Sequence, residues 1–122
     1  MKFNTKMPAG LKKHFNFEIS QYQSNLQKRD FKSSWNYLER AHILGQSYPL
    51  EHSKVHWLML KEGFRRKSLK EILGQFLRLL TGGFKSLINL VPIGNTGGAN
   101  VAPLKVMEIP YDLKMILTKY LS

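Results

Sequence analysis

Apolar residues recur at spacings of three and four in four successive stretches, and this periodicity constrains the fold more than any other feature of the chain. Leu11, Phe15, Ile19, Tyr22 and Leu26 mark one stripe, the apolar face of a helix of about five turns. Phe31, Trp35, Leu38, Ala41 and Leu44 mark a second over roughly 31–44. Val55, Leu58, Met59 and Phe64 belong to a third helix that starts near Leu50. Leu69, Ile72, Leu73, Phe76, Leu79 and Leu80 form the expected inward face of a fourth.

The punctuation agrees with the stripes. Pro8 suits a first helical position, and Lys28-Arg29-Asp30 interrupts the pattern. Gly45 is a helix stop with Pro49 beyond it. Arg65-Arg66-Lys67 gives the third helix a basic end that suits its dipole. Ser68-Leu69-Lys70-Glu71 has the spacing of a capping box. Gly82-Gly83 is expected to end the fourth helix, with a short further helix over 84–90. Pro92-Ile93-Gly94-Asn95-Thr96-Gly97-Gly98-Ala99-Asn100 has no charge and almost no helix formers, and reads as a long irregular loop. An extended segment over 101–107 follows, then a last helix from Ile109-Pro110 to Leu121 carrying Leu113, Ile116, Leu117 and Tyr120.

The fold expected is all-α: one domain over 1–122, with four main helices as two stacked antiparallel hairpins, a Gly/Asn-rich loop and a C-terminal helix. Phe31, Ser34, Leu38 and Ala41 precede Leu69, Ile72, Phe76 and Leu79 by 38 positions. That rhythm is weakly similar to tetratricopeptide repeats, whose period is about 34, although the Trp, Leu, Gly and Tyr of their first helix are missing. At 122 residues the chain can bury a core without staples. It has no cysteine, which excludes disulfide frameworks, thiol catalysis and iron–sulfur ligation. No apolar N-terminal run marks a secretory signal. The most apolar stretch, 76–93, is interrupted by Arg78, Lys85 and Gly82-Gly83, so no transmembrane segment is expected. A soluble, cytoplasmic protein is the expectation.

Three of the four histidines, His42, His52 and His56, fall within fifteen residues. Glu39 and His42 are three apart, and His52 and His56 four apart, so each pair shares a helix face. A short loop makes the second and third helices antiparallel neighbours. His42 then meets His52 near the turn, and Glu39 meets His56 one turn deeper. Three imidazoles and a carboxylate suit a divalent transition metal such as zinc or iron. Glu18, with His14 one turn before it, and Glu71 are further carboxylates that could join. The same residues also read as structural polar pairs inside a tight hairpin, with no metal.

The Gly94–Asn100 loop could offer backbone N–H groups to an anion, but it lacks the Gly-Lys-Ser/Thr of a phosphate loop and reads as a tightly turned connection. Nineteen Lys and Arg against eight Asp and Glu give a net charge of +11. The basic residues are spread over four helices without interleaved aromatic platforms, so no specific nucleic-acid function is expected. A protein partner or an anionic surface is compatible with the charge. No catalytic triad motif is present, and the residues name no reaction.

Five ordered motifs carry a resemblance. They are Leu38-Glu39-Arg40-Ala41-His42-Ile43-Leu44-Gly45-Gln46, His52-x-x-Val55-His56, Gly74-Gln75-x-x-Arg78-Leu79, Pro92-x-Gly94-Asn95-Thr96-Gly97 and Met107-x-Ile109-Pro110. In this order, from about Leu38 to Leu113, they resemble the bacterial family called domain of unknown function 3703. The resemblance implies a bacterial source. It also implies that Glu18, Glu39, His42, His52, His56 and Glu71 fall on positions of the family's pattern, and it supplies no activity. Two readings of function follow: a small metal-binding protein or metalloenzyme, or a metal-free helical interaction module with a basic surface.

Overall fold

The first three apolar stripes become helices because each can bury one face against the others. The computed structural model describes residues 6–87, 98 and 107–120. Five helices form: α1 (Ala9–Gln27), α2 (Phe31–Gly45), α3 (Pro49–Arg65), α4 (Leu69–Leu87) and α5 (Tyr111–Tyr120). No strand occurs among the described residues. The architecture is all-α. α1 packs on α2, α2 on α3 and α3 on α4, while α5 lies against α1 and α2.

The two hairpins close with the same device. α1 ends with Arg29 at φ 59° and α3 with Lys67 at φ 55°. At each end the next residue reaches back to a carbonyl of the last turn, Asp30 N to Asn25 O at 2.9 Å and Ser68 N to Gly63 O at 3.0 Å. This is the hydrogen-bond pattern of a left-handed helix stop, where glycine is the usual occupant. The following residue then caps the next helix: Asp30 accepts from Ser33 N at 3.2 Å, and Ser68 Oγ accepts from Glu71 N at 3.3 Å. The turns are thus one part of the 38-residue repeat that is realised in three dimensions. The side-chain faces do not repeat, since Leu38 is buried and Phe76 is 54% exposed.

Between the hairpins the link is only Gln46, Ser47 and Tyr48. Pro49 opens α3 in its first turn, where its missing N–H costs nothing. Pro8 stands just before α1 rather than inside it. The core holds Leu11, Phe15, Ile19 and Tyr22 of α1 against Leu38 and Ala41 of α2, with Val55 and Met59 of α3. Leu113 and Leu117 of α5 close it. Arg40 pins three helices by donating to Glu18 Oε1 at 2.5 Å on α1 and to both carboxylate oxygens of Asp112 on α5. The Arg40 guanidinium holds the Asp112 carboxyl below the usual carboxylate range.

Two expectations are corrected. α4 runs through Gly82-Gly83 to Leu87, so 84–87 continue it instead of starting a new helix. Glycine in a helix costs about 1 kcal/mol against alanine but does not by itself end one. The second correction concerns the face of α4. Over 69–80, where burial is described, Glu71, Gln75 and Arg78 are buried and Ile72 and Leu79 half-buried, whereas Leu69, Leu73, Phe76 and Leu80 are 54–68% exposed. Phe64 of α3 is also exposed. Most of the apolar stripe of the fourth stretch therefore faces outward, with Ile72 and Leu79 at its edge, because the polar stripe is occupied by contacts described below. Positions 88–97 and 99–106, with most of the loop and extended segment, lie outside the described residues.

Two measurements test this account of the turns and the core. Arg29→Gly and Lys67→Gly should each raise stability by about 0.5–1 kcal/mol, since a side chain in the left-handed region is strained and glycine is not. The readout is a higher urea midpoint with unchanged slope. Buried Tyr22 donates to Glu62 Oε1 at 3.3 Å; burial, and then the Glu62 carboxylate, push its hydroxyl from an ordinary 10.0 up to about 12. Between those values the unfolded chain releases the proton and the native protein keeps it, so stability should fall as pH rises from 10 to 12. Tyr22→Phe should remove its share of that slope in a comparison of unfolding free energies across this pH range.

Candidate metal centre

With only three residues between α2 and α3, the last turn of one faces the first turns of the other. His42 lies in the last turn of α2, and His52 and His56 lie one turn apart on the buried face of α3. All three are buried. Their Nε2 atoms converge: His42 to His56 is 3.1 Å, His42 to His52 is 3.2 Å and His56 to His52 is 2.9 Å. The rings are tilted 63–77° to one another like blades of a propeller.

These contacts are poor hydrogen bonds as a set. An imidazole nitrogen carries one proton or one lone pair, directed in the ring plane. Three such atoms aimed at a common centre cannot all point at each other. They can all point at an ion placed over that centre. Bonds of about 2.0–2.1 Å set donor nitrogens about 2.9 Å apart at right angles and about 3.3–3.4 Å apart at tetrahedral angles. The observed 2.9–3.2 Å lies between.

The outer side of His56 is fixed by a chain of polar contacts from α4. Glu71 Oε1 accepts from Gln75 Nε2 at 2.9 Å. A carboxylate only accepts, so the amide must turn its NH₂ to Glu71 and its oxygen to His56. Gln75 Oε1 lies 2.5 Å from His56 Nδ1. Nδ1 therefore carries the hydrogen, and in the neutral ring Nε2 presents its lone pair to the centre. Arg78 stands behind Glu71. Burial lowers the pKa of its guanidinium and the Glu71 carboxylate raises it, with burial the larger effect. Arg78 donates to the carbonyl oxygen of Gly98. Gly63 lets α3 and α4 approach closely enough for this chain, because a Cβ there would stand 3.2 Å from Ile72 N.

His42, His52 and His56 thus lie together, and their donor atoms form the described group able to hold an ion. Glu39 lies one turn before His42, half-buried, and is outside that group of three. Glu18 does not join; it is buried against Arg40, and His14 is exposed. Glu71 sits behind the histidines, reaching His56 through Gln75. Gln75 is the residue for which sequence reasoning assigned no role. Its signal was the polar series Glu71, Gln75 and Arg78, spaced four and three, on the helix face opposite the leucines.

The sequence matches the family described as Protein of unknown function (DUF3703) over residues 9–117. The chain belongs to this family. The match covers all of α1 to α4 and most of α5, so it includes the whole cluster. No curated protein and no solved structure matches the chain. What this DUF3703 chain does must therefore be argued from its own side chains.

Gln75→Leu should leave His56 Nδ1–H without its acceptor and cost about 1–3 kcal/mol. Gln75→Glu, which keeps an acceptor oxygen for His56 but sets a second buried carboxylate against Glu71, should also destabilise. Urea unfolding of the two variants side by side gives the comparison.

Proposed function

We propose that this protein binds one divalent transition metal ion, zinc or iron(II), through Nε2 of His42, His52 and His56. The convergence of three buried imidazole nitrogens within 3.2 Å of one another carries the reading. Support comes from Gln75, which holds the His56 proton on Nδ1 and so turns the Nε2 lone pair to the centre. A ligating histidine commonly donates its other N–H to an oxygen in this way. Nitrogen spacing near the right-angle value suits three facial positions of a six-coordinate ion, and a relaxation of about 0.1–0.5 Å reaches the tetrahedral spacing of zinc. Glu39, one turn before His42 on the same face of α2, is the carboxylate assigned to a further coordination position. The ion joins α2 to α3 at the end of the bundle where they meet. The competing reading is a metal-free interaction module in which the same histidines are structural.

The test is metal content and affinity in protein purified without a histidine tag. One equivalent of metal is expected, with a rise in melting temperature on loading. His52→Ala should abolish stoichiometric binding, and Glu39→Gln should weaken it about tenfold or more. Affinity should fall with acid below about pH 6.5, because protons compete for the imidazoles. Tag-free protein that takes up no zinc or iron(II) at micromolar concentration overturns the proposal.

A further inference from the structure

α3 and α4 are antiparallel, and two contacts fix how they face each other. His56 is level with Gln75, and Gly63 is level with Glu71 and Ile72. Turning about 100° per residue away from these points places Trp57 and Phe64 of α3 on the same side of the hairpin as Leu69, Phe76 and Leu80 of α4. All five are more than half exposed. Leu60, buried, lies at the seam between the two stripes. This is a continuous apolar face two helices wide, larger than the scattered surface hydrophobics of a typical soluble domain.

The charge around it has one sign. The acidic residues of α3 and α4, Glu51, Glu62 and Glu71, are all buried. Lys54, Lys61, Lys67 and Lys70 are exposed. A second copy of the chain would bring these lysines against their own kind, on a molecule of net charge +11. An anionic lipid surface accepts both features at once: aromatic and leucine side chains enter the headgroup boundary, and the lysines meet lipid phosphates. No described helix is long and apolar enough to cross a membrane, so the attachment is peripheral.

We infer that the outer face of the α3–α4 hairpin docks on anionic bilayer surfaces, with Trp57, Phe64, Phe76 and Leu80 inserted at the headgroup boundary and Lys54 and Lys61 on phosphates. The inference does not depend on the metal, since the histidines occupy a different side of α3.

Co-sedimentation with phosphatidylglycerol–phosphatidylcholine vesicles, against vesicles of phosphatidylcholine alone, tests it. Binding to the anionic vesicles at about 0.15 M salt is expected, with a blue shift of tryptophan fluorescence that Trp57→Phe removes. Phe76→Ser with Leu80→Ser should weaken partitioning at least about tenfold, and so should Lys54→Glu with Lys61→Glu. These side chains are exposed, and unchanged helical circular dichroism confirms that the variants fold. Absence of binding overturns the inference. So does binding that the serine variant leaves intact, which marks charge adsorption alone. A concentration-dependent dimer abolished by the serine variant overturns it in favour of a second copy. Binding to a synthetic acidic amphipathic helix but not to vesicles overturns it in favour of a protein groove.

Discussion

Three imidazoles in mutual contact inside a protein are costly unless something organises them. Each ring gives up water on burial and needs specific contacts in return, as His56 has in Gln75. The geometry of α2 and α3 makes this cost unavoidable. The link 46–48 is short, Pro49 starts α3 at once, and Val55 and Met59 commit the adjoining face of α3 to the core. His52 and His56 are then carried inward with that face, and His42 arrives from the last turn of α2. An apolar trio at these positions would fill the space at lower cost. Three donors aimed at one point are what a cation requires.

The same cluster accounts for the orientation of α4. An amphipathic helix normally turns its leucines inward. α4 packs, among the described helices, on α3 alone, and the side it presents there is Glu71, Gln75 and Arg78. Its position is thus specified by hydrogen bonds and charge more than by apolar burial. Gln75 can face His56 with only one end of its amide, because Glu71 takes the other. That chain gives α4 one rotational setting, and the setting leaves the leucines on the outside.

The sequence shows the helices and their pairing because periodicity, caps and loop length are local signals. Leu11 to Tyr22, the Ser68 cap and the meeting of His42 with His52 were legible in that way, whereas Asp30 was read only as a break and His56, set opposite Glu39, meets His42 instead. The direction of the α4 stripe was not, because apolar periodicity says that a face exists and not which neighbour it meets. The polar series Glu71, Gln75 and Arg78 is equally periodic, and only the partner His56 on another helix decides which stripe is buried. Glu18 was only a carboxylate that could join, and for a similar reason it does not: α1 approaches α2 at Arg40, whose Nε donates to Glu18 Oε1 in a charge-assisted bond. The helix end at Gly82-Gly83 was overestimated because two unfavourable residues do not outweigh a turn already propagating on both sides.

α3 separates the two features that ask for a functional account. Its inner side carries His52 and His56 toward α2, and its outer side carries Trp57 and Phe64 beside the leucines of α4. Gln75 and Phe76 are neighbours in sequence and point to these two sides in turn. The side that holds His56 and the side that carries Phe76 are therefore distinct, set by successive residues of one helix.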